Sequence, residues 1–351
     1  MRIKKLRKVL RVLSLSAYQN FELQNITNPL KTIGILTSGG DSPGMNAAIR
    51  AVVRTASAVG FKVIAFRHGY KGLIAGDSKP LGSSDVSNII QRGGTILKSA
   101  RCEEFRTPEG REKAAQVLED KGIEALIVIG GDGTFQGASL IGKEHDISVV
   151  GIPATIDNDL IGSDETIGYD TALNTAMDAI DNIRDTADAH DRLFLVEVMG
   201  RDAGFIALET GIAGGAELIL LPESLTNIKE VKNSLNDVLY DKRRSSLVVV
   251  AEGDETGGAL KLSEKLRADF SKYEMRVCIL GHVQRGGRPS ARDRVLASRL
   301  GEAAIRALKD GHSQVMVGIV NNSMKITPLK MTFGKKKDIN FELVELAKTL
   351  R

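Results

Sequence analysis

The chain has no tryptophan, five tyrosines and ten phenylalanines. That is too few aromatics to line a groove on which single-stranded nucleic acid would stack its bases. Only two cysteines occur, Cys102 and Cys278, with no CxxC pair. No disulfide framework is expected, and a reducing, cytoplasmic setting suits the composition. No apolar run approaches the roughly 18 residues that span a bilayer. The positive charge is also local. The formal net charge is +4, but residues 1–30 hold six basic side chains against Glu22 alone, so they carry +5 and the remaining residues sum to −1. Neither nucleic acid nor a membrane is therefore expected as a partner.

What is plentiful is glycine, 36 residues, in a chain of 351 with an ordinary 42% hydrophobic and 26% charged content. This length accommodates two packed domains. Residues 1–30 are basic, then rich in Ser, Asn and Gln, and their apolar cluster is broken by Arg11 and Ser14. They read as a disordered extension, the alternative being a targeting or membrane-surface segment.

From Lys31 the pattern turns regular. Short apolar runs at Thr32–Leu36, Lys62–Phe66, Ala125–Ile129, Ser148–Ile152, Leu193–Val198, Leu218–Leu221, Leu247–Ala251 and Val315–Val320 read as strands. Helical periodicity lies between most of them, as at Met45–Val59, Arg111–Lys121, Thr171–Asp185 and Arg292–Leu308. Near-continuous apolar strands alternating with helices predict an α/β protein with mostly parallel sheets covered on both faces. A closing helix is expected to start at Asp338 as its N-cap and to bury Ile339, Leu343, Leu346 and Leu350.

In such sheets ligands sit where strands end and helices begin. Ala125–Ile129 runs into Gly130-Gly131-Asp132-Gly133-Thr134. Glycines let backbone N–H groups approach a polyphosphate, and the aspartate is a hard oxygen ligand suited to Mg²⁺. A buried strand followed by a tight turn is the plainer reading. After the first strand comes Thr37-Ser38-Gly39-Gly40-Asp41-Ser42-Pro43-Gly44. It has neither P-loop nor dinucleotide spacing, but it offers donors at a helix start. After Ser148–Ile152 comes Pro153-Ala154-Thr155-Ile156-Asp157-Asn158-Asp159. An Asx-type turn would explain it. Two carboxylates at one strand end are otherwise held together only at a cost, unless a cation or a reacting hydroxyl lies between them. Cations also gather near strand ends: Arg192, Arg201, Arg276 and the segment Gly281-His282-Val283-Gln284-Arg285-Gly286-Gly287. Arginine forks there suit a second, phosphoryl-bearing ligand.

The ordered set TSGGDSPGMNAAIR, RCEEFR, GGDGT, PATIDND, VEVMGRDAG, AEG and GHVQRGG resembles the ATP-dependent 6-phosphofructokinase family from about Lys31 to Lys309. GGDGT alone also resembles NAD kinases and diacylglycerol kinases, which lack the other segments. The resemblance implies two similar Rossmann-like three-layer domains, with 31–168 and 284–334 binding ATP and 169–283 and 335–351 binding the sugar phosphate. It implies ATP contacts at Gly40, Arg101, Cys102, Arg106, Gly131, Asp132, Gly133 and Thr134, with Mg²⁺ on Asp132. Asp157 would be the general base toward the sugar's 1-hydroxyl, with Thr155 beside it, Asp159 near the metal, and Arg101 and Arg201 on the transferring phosphoryl group. Met199, Gly200, Glu252, His282 and Arg285 would contact D-fructose 6-phosphate. Arg192 and Arg276 would reach in from a neighbouring subunit of a homotetramer.

Pyrophosphate users in this family resemble GGDDS and PKTIDND, where a carboxylate and a lysine crowd the nucleotide's α-phosphate. Gly133 and Ala154 stand at those positions and favour ATP. The resemblance further implies an effector site at Arg50, Arg54, Arg184, Glu217, Arg243 and Arg244. Ser83, Ser84 and Asp241 stand where bacterial relatives carry an arginine, a tyrosine and a lysine, so a weakened effector response is expected. One geometric condition underlies these expectations: the loops of Asp132 and Asp157 must converge on one cleft.

Overall fold

A computed structural model describes residues 32–188, 192–240 and 246–350. The first sheet is built from β1 (Thr32–Thr37), β2 (Lys62–Phe66), β3 (Ser78–Leu81), β4 (Ala125–Gly130), β5 (Ser148–Pro153), β10 (Val315–Val320) and β11 (Ser323–Pro328). Its order is β11-β10-β5-β4-β1-β2-β3, and the five inner strands are parallel. The edges β3 and β11 are antiparallel. The second sheet holds β6 (Arg192–Val198), β7 (Leu218–Leu220), β8 (Ser246–Ala251) and β9 (Glu274–Ile279) in the order β7-β8-β6-β9, all parallel. The expected α/β architecture with mostly parallel sheets is the one observed.

The strands are apolar throughout because both faces are covered. In β4, Ile127 and Ile129 join a core with the helices α1 (Met45–Ala58) and α9 (Ala291–Lys309), while Leu126 and Val128 join another on the opposite face. That second face is covered by α3 (Pro108–Asp120) and α4 (Asp132–Glu144), with the short α2 (Gly69–Ile74) beside them. The second sheet is sandwiched likewise, by α5 (Tyr169–Asp188) and α6 (Phe205–Ala213) on one side. On the other side lie α7 (Ile228–Tyr240) and α8 (Gly258–Leu266). Each fully buried aliphatic side chain contributes about 1.5–3 kcal/mol to holding these layers together.

The two lobes meet at a shared carboxylate. Asp293, in the first turn of α9, accepts from Gly168 N at 2.7 Å and from Thr171 N at 2.8 Å, and also from the Thr171 hydroxyl. It thereby caps α5 from α9, whose own start is capped by Ser290 Oγ accepting from Asp293 N at 3.2 Å. Asp293 is 1% exposed, and burial pushes its carboxyl up to about 6 against those donors.

The closing helix α10 (Phe341–Thr349) departs from the sequence expectation. Its N-cap is Asn340, whose side chain accepts from Glu342 N at 2.9 Å, not Asp338. Ile339 is buried and Leu343 packs on the second core, but Leu346 and Leu350 are exposed. Val344 and Ala347 pack beside Leu343, so the buried face is turned about one residue away from the expected stripe. Residues 1–30 lie outside the described residues.

Candidate active site

In the first sheet β1 leads to β2 on one side while β4 and β5 lie on the other. That reversal opens a crevice beyond the carboxyl ends of β1 and β4. The loops after β1, β4 and β5 meet there. Ser38 N donates to Ile129 O at 3.0 Å, and Thr134 Oγ1 donates to Ser38 O at 3.0 Å. Tyr70 holds the same turn by donating to Thr134 O at 2.6 Å. At Gly130 a Cβ would lie 2.5 Å from Ser38 O, so only glycine permits this approach. Ala154 N donates to Gly130 O at 2.9 Å, and a Cβ on Gly131 would sit 3.6 Å from that of Thr155. The GGDGT and PATIDND loops therefore leave the sheet side by side.

The carboxylates follow from these loops. Asp132 opens α4 and accepts from Gly334 N at 3.2 Å. Asp157 is 6% exposed, its backbone N–H donates to Thr155 Oγ1 at 3.2 Å, and its Oδ1 has no protein partner. Burial pushes its carboxyl above the usual range, and the charge of Arg285, the Thr155 hydrogen bond and the charge of Arg201 pull it back. Asn158 between the two aspartates adopts φ 53° and donates to Asp164 O at 3.1 Å. Asp159 is pushed up to about 6 by burial first, then by its neighbours Asp157 and Asp132. Asp132, Asp159 and Arg201 line one cleft of about 240 Å³. Asp157 itself is not among the residues lining that cleft, to which its loop contributes Asp159.

The second sheet aims its own strand ends at the same seam. After β6, Gly200 at φ 150° and Arg201 at φ 56° make a turn whose Arg201 N donates to Glu252 Oε1 at 2.7 Å. A Cβ on Gly253 would collide with the Arg201 carbonyl oxygen. This explains the glycine that follows Glu252. Met199 N donates to Gln284 Oε1 at 2.8 Å, while the buried Gln284 Nε2 has no partner. Arg285 is half-buried and lays its guanidinium against Gly40, bringing the GHVQRGG segment onto the turn after β1. His282 in that segment is exposed.

Other expected residues lie farther out. Arg101 and Gly133 are exposed, Cys102 packs partly on the α3–α4 side of the sheet, and Arg106 pairs with Glu103 at 3.3 Å. Arg192 begins β6, at the opposite end of that strand from Arg201, and Arg276 is the third residue of β9, in register with Phe194; both pair with Glu274. Arg50 and Arg54 share α1, the latter exposed. Arg184 donates to Gly214 O at 2.6 Å and lies 3.6 Å from Glu217, whose carboxylate accepts from Leu247 N at 2.6 Å. Arg243 and Arg244 lie outside the described residues.

Two groups were missed in the sequence. Gln284 stood inside a quoted motif with no role assigned. The run Gly334-Lys335-Lys336-Lys337 carried no signal, yet it crosses the cleft. Gly334 N meets Asp132, Lys336 Nζ donates to Asp202 O at 3.4 Å, and Lys337 Nζ donates to Asp164 O at 2.8 Å. Lys337 also lies 5.1 Å over the Phe205 ring. Burial pushes its ammonium down to about 8, opposed by Asp164 and Asp159.

The donor chemistry fits a divalent cation arriving with phosphate. Asp132 and Asp159 are hard oxygen donors in one cleft. Among the described residues no group of three or more His, Cys, Asp or Glu side chains could hold an ion unaided, so further oxygens must come from ligand or water.

Comparison with known proteins agrees with this geometry. The phosphofructokinase family model matches residues 32–308. ATP-dependent 6-phosphofructokinase 1 of Thermus thermophilus is 57% identical over 321 residues, covering 92% of this chain and 99% of that one. ATP-dependent 6-phosphofructokinase 2 of Bacteroides thetaiotaomicron is 52% identical, covering 92% and 98%. The phosphofructokinase structure from Saccharomyces cerevisiae superposes with a TM-score of 0.80 at 38% identity, covering 91% of this chain and 46% of that longer one. With three strand-end loops converging on two aspartates and a match spanning most of its length, the chain belongs to the phosphofructokinase family.

Proposed function

We propose that the chain transfers the γ-phosphoryl group of ATP to the 1-hydroxyl of D-fructose 6-phosphate, giving fructose 1,6-bisphosphate and ADP. One observation carries the reading: Asp157, buried and with an unpartnered Oδ1, stands beside Asp159, which shares its cleft with Asp132 and Arg201. The Asp157 carboxylate accepts the hydroxyl proton as the oxygen attacks phosphorus. Arg201, with Arg101 moving in from its exposed position, stabilises charge on the transferring group, and Thr155 orients the loop. Gly40, Cys102, Arg106 and Gly131 to Thr134 hold the nucleotide. Met199, Gly200, Glu252, His282 and Arg285 hold the sugar phosphate. Asp132, with Asp159 nearby, would hold Mg²⁺ arriving with the nucleotide, which would supply neutralisation of phosphate charge.

Arg192 and Arg276 pair with Glu274 in the early part of β6 and β9, away from the carboxyl end where Arg201 follows β6. We assign them to the site of a neighbouring copy in a homotetramer working in the cytoplasm. The segments 31–168 with 284–334 form the nucleotide lobe, and 169–283 with 335–351 form the sugar-phosphate lobe. Gly133, with open space where a Cβ would stand, and the small Ala154 favour ATP over pyrophosphate. The test compares both donors with fructose 6-phosphate and follows the bisphosphate product. Turnover with ATP and none with pyrophosphate is expected; the reverse preference overturns the donor assignment, and no turnover with either overturns the reading.

A further inference from the structure

The cleft beside Asp132 is not an acidic pocket. Four carboxylates line it, but so do Arg201 and the three consecutive lysines Lys335 to Lys337, and these formal charges cancel. The lysines belong to a segment that touches both lobes, through Asp132 and Asp164 on one and Asp202 and Phe205 on the other. A bare divalent cation entering here gains the attraction of Asp132 and Asp159 but meets three ammonium groups as well. A cation already chelated by a polyphosphate carries net negative charge. Its phosphate oxygens meet the lysines while its metal meets the carboxylates. The two carboxylates alone do not make a sufficient ligand set, as the lack of a three-ligand group among the described residues shows.

We propose that Lys337, supported by Lys335 and Lys336, is a specificity-determining residue that makes this cleft reject free divalent metal and accept the metal–nucleotide complex. The idea rests on the kinase reading above, which supplies the nucleotide. Lys337 acts through charge at a fixed place. Its ammonium lies 5.1 Å over the Phe205 ring and is anchored on a backbone carbonyl, leaving no carboxylate bonded to it among the contacts above.

Mn²⁺ binding followed by electron paramagnetic resonance tests this on the full chain at neutral pH, first alone and then with ADP. Lys337→Met removes the charge and keeps an unbranched apolar side chain of similar length. It is expected to bind Mn²⁺ alone about fivefold more tightly, as loss of a nearby like charge requires, and Mn²⁺–ADP about fivefold more weakly. The double variant Lys335→Gln/Lys336→Gln, at exposed positions, repeats the measurement without altering a buried group, and Lys337→Arg restores wild-type behaviour. Asp132→Asn abolishes both signals and so locates the ion. Unchanged or weaker uptake of Mn²⁺ alone in both lysine variants overturns the proposal. A wild-type chain that takes up no Mn²⁺–ADP overturns instead the kinase reading beneath it.

Discussion

Replacing Asp157 with asparagine isolates the chemical step. The two side chains are nearly isosteric, and the Asp157 N–H contact to Thr155 Oγ1 at 3.2 Å is a backbone bond that the substitution keeps. Arg201 and Arg285, which act on Asp157 by charge, are untouched. What disappears is a buried proton acceptor with a free oxygen. General-base removal lowers rates by about 10²–10⁴, and a middle value of about 10³ corresponds to about 4 kcal/mol of barrier. The expected result is a kcat about 10³ lower with KM for fructose 6-phosphate within about threefold, the signature of an interaction used in the transition state. A coupled ADP-release assay reads both constants. The pH profile adds a second measurement. Burial, outweighing its two arginines, raises the Asp157 carboxyl. The protonated form accepts no proton, so the wild-type rate climbs as pH rises through that raised value and levels off above it. The acidic limb is therefore expected above the ordinary aspartate range, and it should vanish in the asparagine variant. A variant retaining kcat within tenfold of wild type, or a wild-type limb at the ordinary aspartate value, refutes the assignment.

Three further outcomes are expected. Asp293→Ala strands two backbone donors and a buried hydroxyl and lowers stability by about 3 kcal/mol, read as a drop in the thermal midpoint; an unchanged midpoint contradicts the capping role. Co-expressed Arg276→Ala and Asp157→Asn chains regain activity that neither has alone, because intact sites form between them; assembled mixtures that stay inactive contradict a site shared across subunits. Titration with ADP or phosphoenolpyruvate changes the sugar-phosphate KM by less than about fivefold, since Ser83 and Ser84 offer an effector no positive charge; strong modulation contradicts this.

Much of the fold was legible because inner strands buried on both faces leave near-continuous apolar runs, as in β4 and β8. The edges were not. Ser78–Leu81 is half exposed and contains Pro80, and Ser323–Pro328 buries little besides Ile326's neighbour Thr327, so neither carries the inner-strand pattern. In the site, Asp132 and Arg201 announced themselves by lying in glycine-containing turns at strand ends, and Asp157 by standing with a second carboxylate after a strand. Lys337 did not, because its partners come from loops far away in sequence and a lysine run ordinarily reads as solvated surface. Gln284 was hidden for another reason: its role is to hold Met199's N–H, which only three-dimensional proximity reveals.

Asp293 joins the opening turns of α5 and α9, which pack in different lobes: its carboxylate takes the donors of α5, while its own N–H is held by Ser290 at the start of α9. The halves of the molecule thus share a fulcrum on the chain's interior. The lysine segment, bonded to Asp132 and Asp164 on one side and to Asp202 on the other, clasps the seam at a second point, so parting the lobes would cost these bonds as well.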